Sequence, residues 1–218
     1  MVVQPSLKEK IYNAILEDIL SHQYEPSDIL NEKSLVEKYG CSKSPVREAL
    51  LALCSDNVLR SIPRYGYEIV RLTMDDVFDM LNFRLVLESG LLSEHYESFT
   101  PIQINYLESI DRNCTKAEKD VWTHWKYNME FHVTLISFCN NAYAVEELKK
   151  CMNRLRRAYA QLYWNTLSSS TLSLAFDTRH HADILQALRD KNLEELLRHL
   201  KNDIGDFGGL TYNLSHTL

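Results

Sequence analysis

Apolar positions in the first third of the chain recur at helical spacing and then switch to alternation. Leu7, Ile11, Ile15 and Ile19 mark the stripe of a first amphipathic helix, which runs into the turn-rich stretch His22-Gln23-Tyr24-Glu25-Pro26-Ser27-Asp28. Leu30, Leu35, Val36 and Tyr39 mark a second helix, Glu32 to Tyr39, closed by Gly40. Pro45 fits the first turn of a third, with Ser42 or Ser44 as its cap. Val46, Ala49, Leu50 and Leu53 form its apolar face, which leaves Lys43, Ser44 and Arg47 outside near the N-terminal end. After this helix the period becomes two. Residues 58–62 and 67–70 flank Pro63-Arg64-Tyr65-Gly66, the pattern of a hairpin with a glycine-containing loop. Three helices and a hairpin predict a winged helix-turn-helix over residues 1–72, a module that reads bases from the N-terminal end of its last helix.

From Thr73 helical periodicity resumes with Val77, Met80, Leu81, Leu85 and Leu92, and no strand is expected. Helices are predicted over about 74–97, 101–116, 118–139, 142–168, 171–189 and 193–207. Their short connections suit an antiparallel bundle, so residues 73–218 read as a second, all-α domain and the whole chain as mainly α.

Composition narrows this picture. The chain of 218 residues carries a net charge of -6, divided unevenly: residues 1–72 hold nine Lys/Arg against ten Asp/Glu, and the remainder 15 against 20. A nearly neutral module can still bind DNA where its cations share one face. Five cysteines without CxxC pairing, and no N-terminal signal pattern, predict a reduced, cytoplasmic setting. No apolar run approaches the roughly 20 residues that span a bilayer, so no membrane partner is expected.

The run Gly40 to Leu50, with Pro26, Leu30 and Leu35 before it, resembles the GntR family of bacterial transcription regulators, in the FadR-like branch with a C-terminal FCD domain. Lys43 stands for the family's usual Arg, Ser44 for its usual Thr, and Ser27 for the Gly that commonly follows the proline. Carried over position by position, the resemblance implies DNA contacts at Lys33, Ser42, Lys43, Ser44, Arg47, Arg64 and Gly66. Arg47 can bond guanine O6 and N7 together, the lysines can meet phosphate or a guanine, and Gly66 lets the backbone approach the minor groove.

A second constellation lies in the helical domain. Asn128 and His132 are four apart and share a helix face; His181 and Asp203 are equidistant from Asn192, so a helical hairpin folded there sets them side by side. FCD domains hold a divalent metal with an Asp and three His, and the resemblance places Asn128, His132, His181 and Asp203 at those four positions. Such a set suits Zn, Ni or Mn, with room for water or a carboxylate. A metal-free pocket and a polar core network are the alternatives. The resemblance also puts Arg84 at the family's Arg-x-x-x-Glu position, either facing an anionic effector or paired with Glu88 along the helix. Arg154, Arg156, Arg157, Tyr159 and Tyr163 form a basic and aromatic stretch, most of which reads as solvent or dimer surface. His95, His124, His180 and His199 have no partner legible in the sequence.

Together these readings predict a homodimeric regulator, not an enzyme, that binds a pseudo-palindromic DNA operator under the control of a small carboxylate. The rival readings are a metal-free regulator responsive to an acyl-CoA or another ligand, and a metal-dependent hydrolase.

Overall fold

The computed structural model describes residues 4–116, 121–167, 179–207 and 210–211. Helix α1 (Leu7–Leu20) begins at Ser6, whose hydroxyl accepts the Glu9 amide while the Glu9 carboxylate accepts the Ser6 amide, so two end amides are satisfied at once. Strand β1 (Ile29–Leu30) precedes α2 (Glu32–Tyr39). Leu30, expected on the helix stripe, lies in β1 because Asn31 takes the capping position, its Oδ1 accepting the Lys33 amide at 2.8 Å. Gly40 ends α2 in the left-handed conformation, φ 59°, with its amide donating to Val36 O. Helix α3 (Lys43–Ser55) starts after Ser42, which holds the cap position without a side-chain cap bond; the Ser44 hydroxyl instead donates to Glu48 Oε1.

Strands β2 (Leu59–Ile62) and β3 (Gly66–Ile69) form the hairpin. The antiparallel sheet has the order β1-β3-β2, with Leu30 opposite Tyr67 and Ile62 opposite Gly66. A β-carbon at Gly66, where φ is 139°, would lie 2.4 Å from Leu30 O, so the close approach of β1 itself requires glycine. Ser27 holds φ 77° where the resemblance leads one to expect glycine. Ile11, Ile15 and Ile19 of α1 meet Leu35 of α2, Leu50 and Leu53 of α3 and Ile69 of β3 in one apolar cluster. Each such side chain taken from water contributes about 1.5–3 kcal/mol.

The chain divides by packing into two compact units, Met1–Thr73 with Arg157–Ser168, and Met74–Arg156 with Ser169–Leu218. Within the first, Gln161 donates to Val70 O at 3.0 Å and accepts the Leu72 amide at 2.9 Å. The second contains α4 (Met74–His95), a 3-10 turn (Tyr96–Ser98), α5 (Pro101–Lys116), α6 (Val121–Ser137), the first part of α7 (Ala142–Leu167), α8 (Arg179–Asp190) and α9 (Leu193–Gly205). The beginning of the helix expected over 171–189 falls outside the described residues. Helix α4 packs on α9, α5 on α6 and α8, and α8 on α9. A short antiparallel pair follows, β4 (Asp206–Phe207) with β5 (Leu210–Thr211). No strand was expected there, since two-residue strands leave no alternation to read.

Two residues of the basic and aromatic stretch of α7 depart from the surface that polarity suggested, while Arg154 and Arg156 are half-buried. Arg157 and Tyr159 are buried, Arg154 pairs with Asp76 at 3.2 Å, and Arg156 lies over the Trp122 ring at 5.4 Å; the Tyr163 side chain falls outside the described residues. Among the described residues no helix is long and apolar enough to cross a membrane.

Candidate functional site

A groove of about 620 Å³ opens between the start of α2, the start of α3 and the hairpin tip. Lys33, Lys43, Arg47, Arg64 and Gly66 line it, so five of the seven residues expected at DNA converge. Ser42 holds the cap position of α3 and Ser44 sits in its first turn, both outside this lining. Glu32 organises the cations, a role that sequence reasoning missed. Its carboxylate accepts Arg47 Nε at 3.0 Å and the Tyr67 hydroxyl at 3.2 Å, with Lys43 Nζ at 3.4 Å. Burial alone would raise the Glu32 pKa, but the bonds from Arg47 and Tyr67 hold it below the usual carboxylate range. Arg47 remains more than half exposed, and with Nε committed to Glu32 its two terminal nitrogens form a fork free of that bond and suited to a guanine edge. At the hairpin tip, Pro63 is followed by Arg64 at φ 71°, a conformation that glycine or asparagine adopts more readily. Arg64 is exposed at the wing.

The four residues expected at a metal also come together, from α6, α8 and α9. His132 Nε2 lies 2.8 Å from Asp203 Oδ2, His181 Nε2 lies 3.4 Å from Asp203 Oδ1, and Asn128 Nδ2 lies 3.5 Å from the same His181 nitrogen. Behind each imidazole stands a carboxylate. Glu88 Oε2 is 2.7 Å from His132 Nδ1, and Asp111 Oδ1 is 3.1 Å from His181 Nδ1. Phe131 stacks on the His181 ring with centroids 3.9 Å apart, holding its plane. Arg84, buried on α4, donates from Nε to Glu88 Oε1 at 2.9 Å, so its carboxylate partner is the intrahelical one.

Glu88 and Asp111 are the residues that sequence reasoning did not place at this site. Their signal was a carboxylate on an apolar stripe: Glu88 shares a face with Leu81, Leu85 and Leu92, and Asp111 with Ile104, Leu107 and Cys114. Charge couples the group. Burial would raise the carboxyl pKa of Asp203, but His132 and His181 hold it far below the usual range; Arg84 and His132 do the same for Glu88 against its own burial. Burial works to lower the His132 pKa, and Glu88 and Asp203 on either side overcome it and raise it.

The donor set fits a divalent ion. One atom from each of His132, His181 and Asp203 lies within 4.8 Å of the others. The buried His132 Nε2 faces Asp203 Oδ2 at 2.8 Å and has no other partner among the described residues. The carboxylates behind both imidazoles fix the tautomer that points a lone pair inward. With neutral imidazoles, one guanidinium faces three carboxylates, a formal excess of two negative charges that one dication would balance.

Other histidines also have partners here. His124 is buried with Nδ1 3.4 Å from Cys114 Sγ, and burial and His181 push its pKa down to about 4. His95 contacts Leu91 O at 3.0 Å, and His199 lies 3.3 Å from Asp183.

A winged helix-turn-helix with a cationic groove, followed by a helical domain with a buried polar centre, is the architecture of a DNA-binding transcription regulator. The model of bacterial regulatory proteins of the gntR family matches residues 7–69 and that of the FCD domain matches residues 79–206. The chain belongs to the GntR family and carries an FCD domain; it is a DNA-binding transcriptional regulator, not an enzyme. It is 25% identical over 213 residues to YdhC, an uncharacterized HTH-type transcriptional regulator of Bacillus subtilis, covering 96% of this chain and 91% of that one. It is 24% identical to the HTH-type transcriptional repressor RspR of Escherichia coli, covering 85% and 80%. The structure of Escherichia coli McbR/YncC shares the fold, with a TM-score of 0.73 at 20% identity, over 92% of this chain and 94% of that one.

Proposed function

We propose that the protein binds a pseudo-palindromic operator as a homodimer, and that a small organic acid held in the interior of the FCD domain controls this binding through a divalent ion. The observation that carries the reading is the convergence of His132, His181 and Asp203, each imidazole backed by a carboxylate. Those three residues, with Asn128 beside them, would hold Zn, Ni or Mn; the ion would supply a positive centre to which a carboxylate effector can bind. Arg84 contributes by orienting Glu88. Arg47, Lys43 and Lys33 read and neutralise the operator, and Arg64 meets it at the wing.

A metal-free reading is favoured by one feature: Glu88, His132 and Asp203 already form a chain of opposite charges when His132 carries a proton. The test covers both. Operator DNA is selected from a random pool with the full-length protein, and its affinity is followed as sugar acids and dicarboxylates are added. An active acid changes affinity by roughly 5- to 150-fold. Under the metal reading, chelation and Asp203→Ala each abolish the response and the bound metal measured by mass spectrometry. A response that survives chelation assigns the site to direct binding; one that survives Asp203→Ala places the effector elsewhere.

A further inference from the structure

The outer side of the α8–α9 hairpin carries a second group of ligand atoms. His180 and Asp183 stand three apart on α8 and His199 faces them from α9; one atom from each lies within 4.8 Å of the others. His180 and His181 are adjacent, so they point about 100° apart around α8, and only His181 reaches the interior cluster.

His199 Nδ1 is buried and makes no hydrogen bond among the described residues, although Asp183 Oδ2 lies 3.3 Å away. On the other side of the ring, His199 Nε2 lies 3.3 Å from Glu195 Oε2, one turn back on α9. This repeats the arrangement at His132 and His181: an imidazole with a carboxylate at one nitrogen and a ligand cluster at the other. We infer that His180, Asp183 and His199 form a second site for a first-row transition dication of the Zn²⁺ or Ni²⁺ kind, distinct from the interior cluster. Two imidazoles and a carboxylate suit such ions better than Mg²⁺ or Ca²⁺, and water completes the shell. Glu195 accepts the Nε2 proton, which leaves the Nδ1 lone pair for the ion. Arg198 Nη2, now 2.8 Å from Nε2 and paired with Glu195, swings away as that proton settles; it is exposed and long enough to do so. The bound ion joins α8 to α9, the two helices that carry His181 and Asp203.

Equilibrium dialysis of the full-length protein against Zn²⁺, with bound metal counted by mass spectrometry, tests this. Asp203→Ala disables the interior site and is expected to retain one zinc per chain, which His199→Gln added to it removes. In an otherwise unaltered chain, His199→Gln and Asp183→Asn each lower zinc by one equivalent without changing the circular dichroism. Copper(II) bound to Asp203→Ala gives a two-nitrogen splitting by electron paramagnetic resonance, reduced to one nitrogen by His180→Gln. Retention of the same zinc in His180→Gln/His199→Gln as in the parent overturns the site, and so does a folded Asp203→Ala protein that binds none. If Asp203→Ala leaves zinc unchanged and His199→Gln abolishes it, the outer site stands and the interior metal reading fails.

Discussion

The groove and the interior cluster use the same device at two depths. In each, a carboxylate holds a cationic or basic group in a working orientation: Glu32 holds Arg47, and Glu88 holds His132. Around Glu32 water remains close, so the pairing sets geometry more than energy. Glu88 is fully buried, and an unmatched charge there costs several kcal/mol. One arrangement can therefore be remodelled by a DNA partner, whereas the other can exchange only one counter-charge for another, a proton or a metal ion.

The largest expected effect follows from that contrast. Glu88→Ala leaves Arg84 buried without its carboxylate partner and His132 with Asp203 alone, and urea unfolding of the metal-free protein is expected to show a loss of about 3–5 kcal/mol. A loss below about 1 kcal/mol would mean that the cluster relaxes to water and that the two regions are not different in kind.

Operator binding comes next. Arg47→Ala removes the fork that reaches a base, and gel-shift titration is expected to show specific affinity falling by roughly tenfold or more with the fold intact. Unchanged affinity would break the assignment of the groove. Glu32→Gln has a different signature: it frees Arg47 and removes a negative charge from the groove. Non-specific DNA binding is expected to rise while the ratio of specific to non-specific affinity falls by roughly severalfold. A parallel rise in both would reduce Glu32 to a repulsive charge.

Acid should separate the regions further. Glu88 and Asp203 have pKa values depressed from the ordinary 4.5 and 3.8, so the stability they provide is complete above that range and is lost as pH falls through their folded values. His132 is raised from 6.5, so its contribution is complete below that pH and is lost as pH rises through its folded value. Thermal melts of the metal-free protein from pH 2 to 9 are expected to fall at both ends, and Glu88→Gln to flatten both limbs. The smallest effect is at the wing. Arg64→Gly relieves a left-handed residue, worth about 1 kcal/mol of stability, and removes a cation, lowering the salt dependence of operator binding by about one phosphate contact.

The three helices and the hairpin were legible because each carries its own period and punctuation. Ile11, Ile15 and Ile19 repeat at helical spacing, Gly40 and Pro45 bracket a turn, and alternation begins after Val58. The equidistance of His181 and Asp203 from Asn192 was also legible, since a short turn constrains the pairing across a helical hairpin. Less was legible where polarity misleads. Arg157 and Tyr159 looked like surface because their chemistry is polar, and they are buried; Leu30 fitted a helix stripe but joins a strand that Asn31 terminates.

The sequence by itself determined the module order, the cationic face of α3 and which side chains the interior could gather, because helical period, turn chemistry and spacing are local properties. Only the tertiary structure decided that Glu32 holds Arg47 across 15 residues, that Glu88 and Asp111 stand behind His132 and His181, and that His199 faces Asp183 rather than solvent. Those pairings join separate elements, and their partners are chosen by how the helices pack, which no local pattern of charge or hydrophobicity encodes.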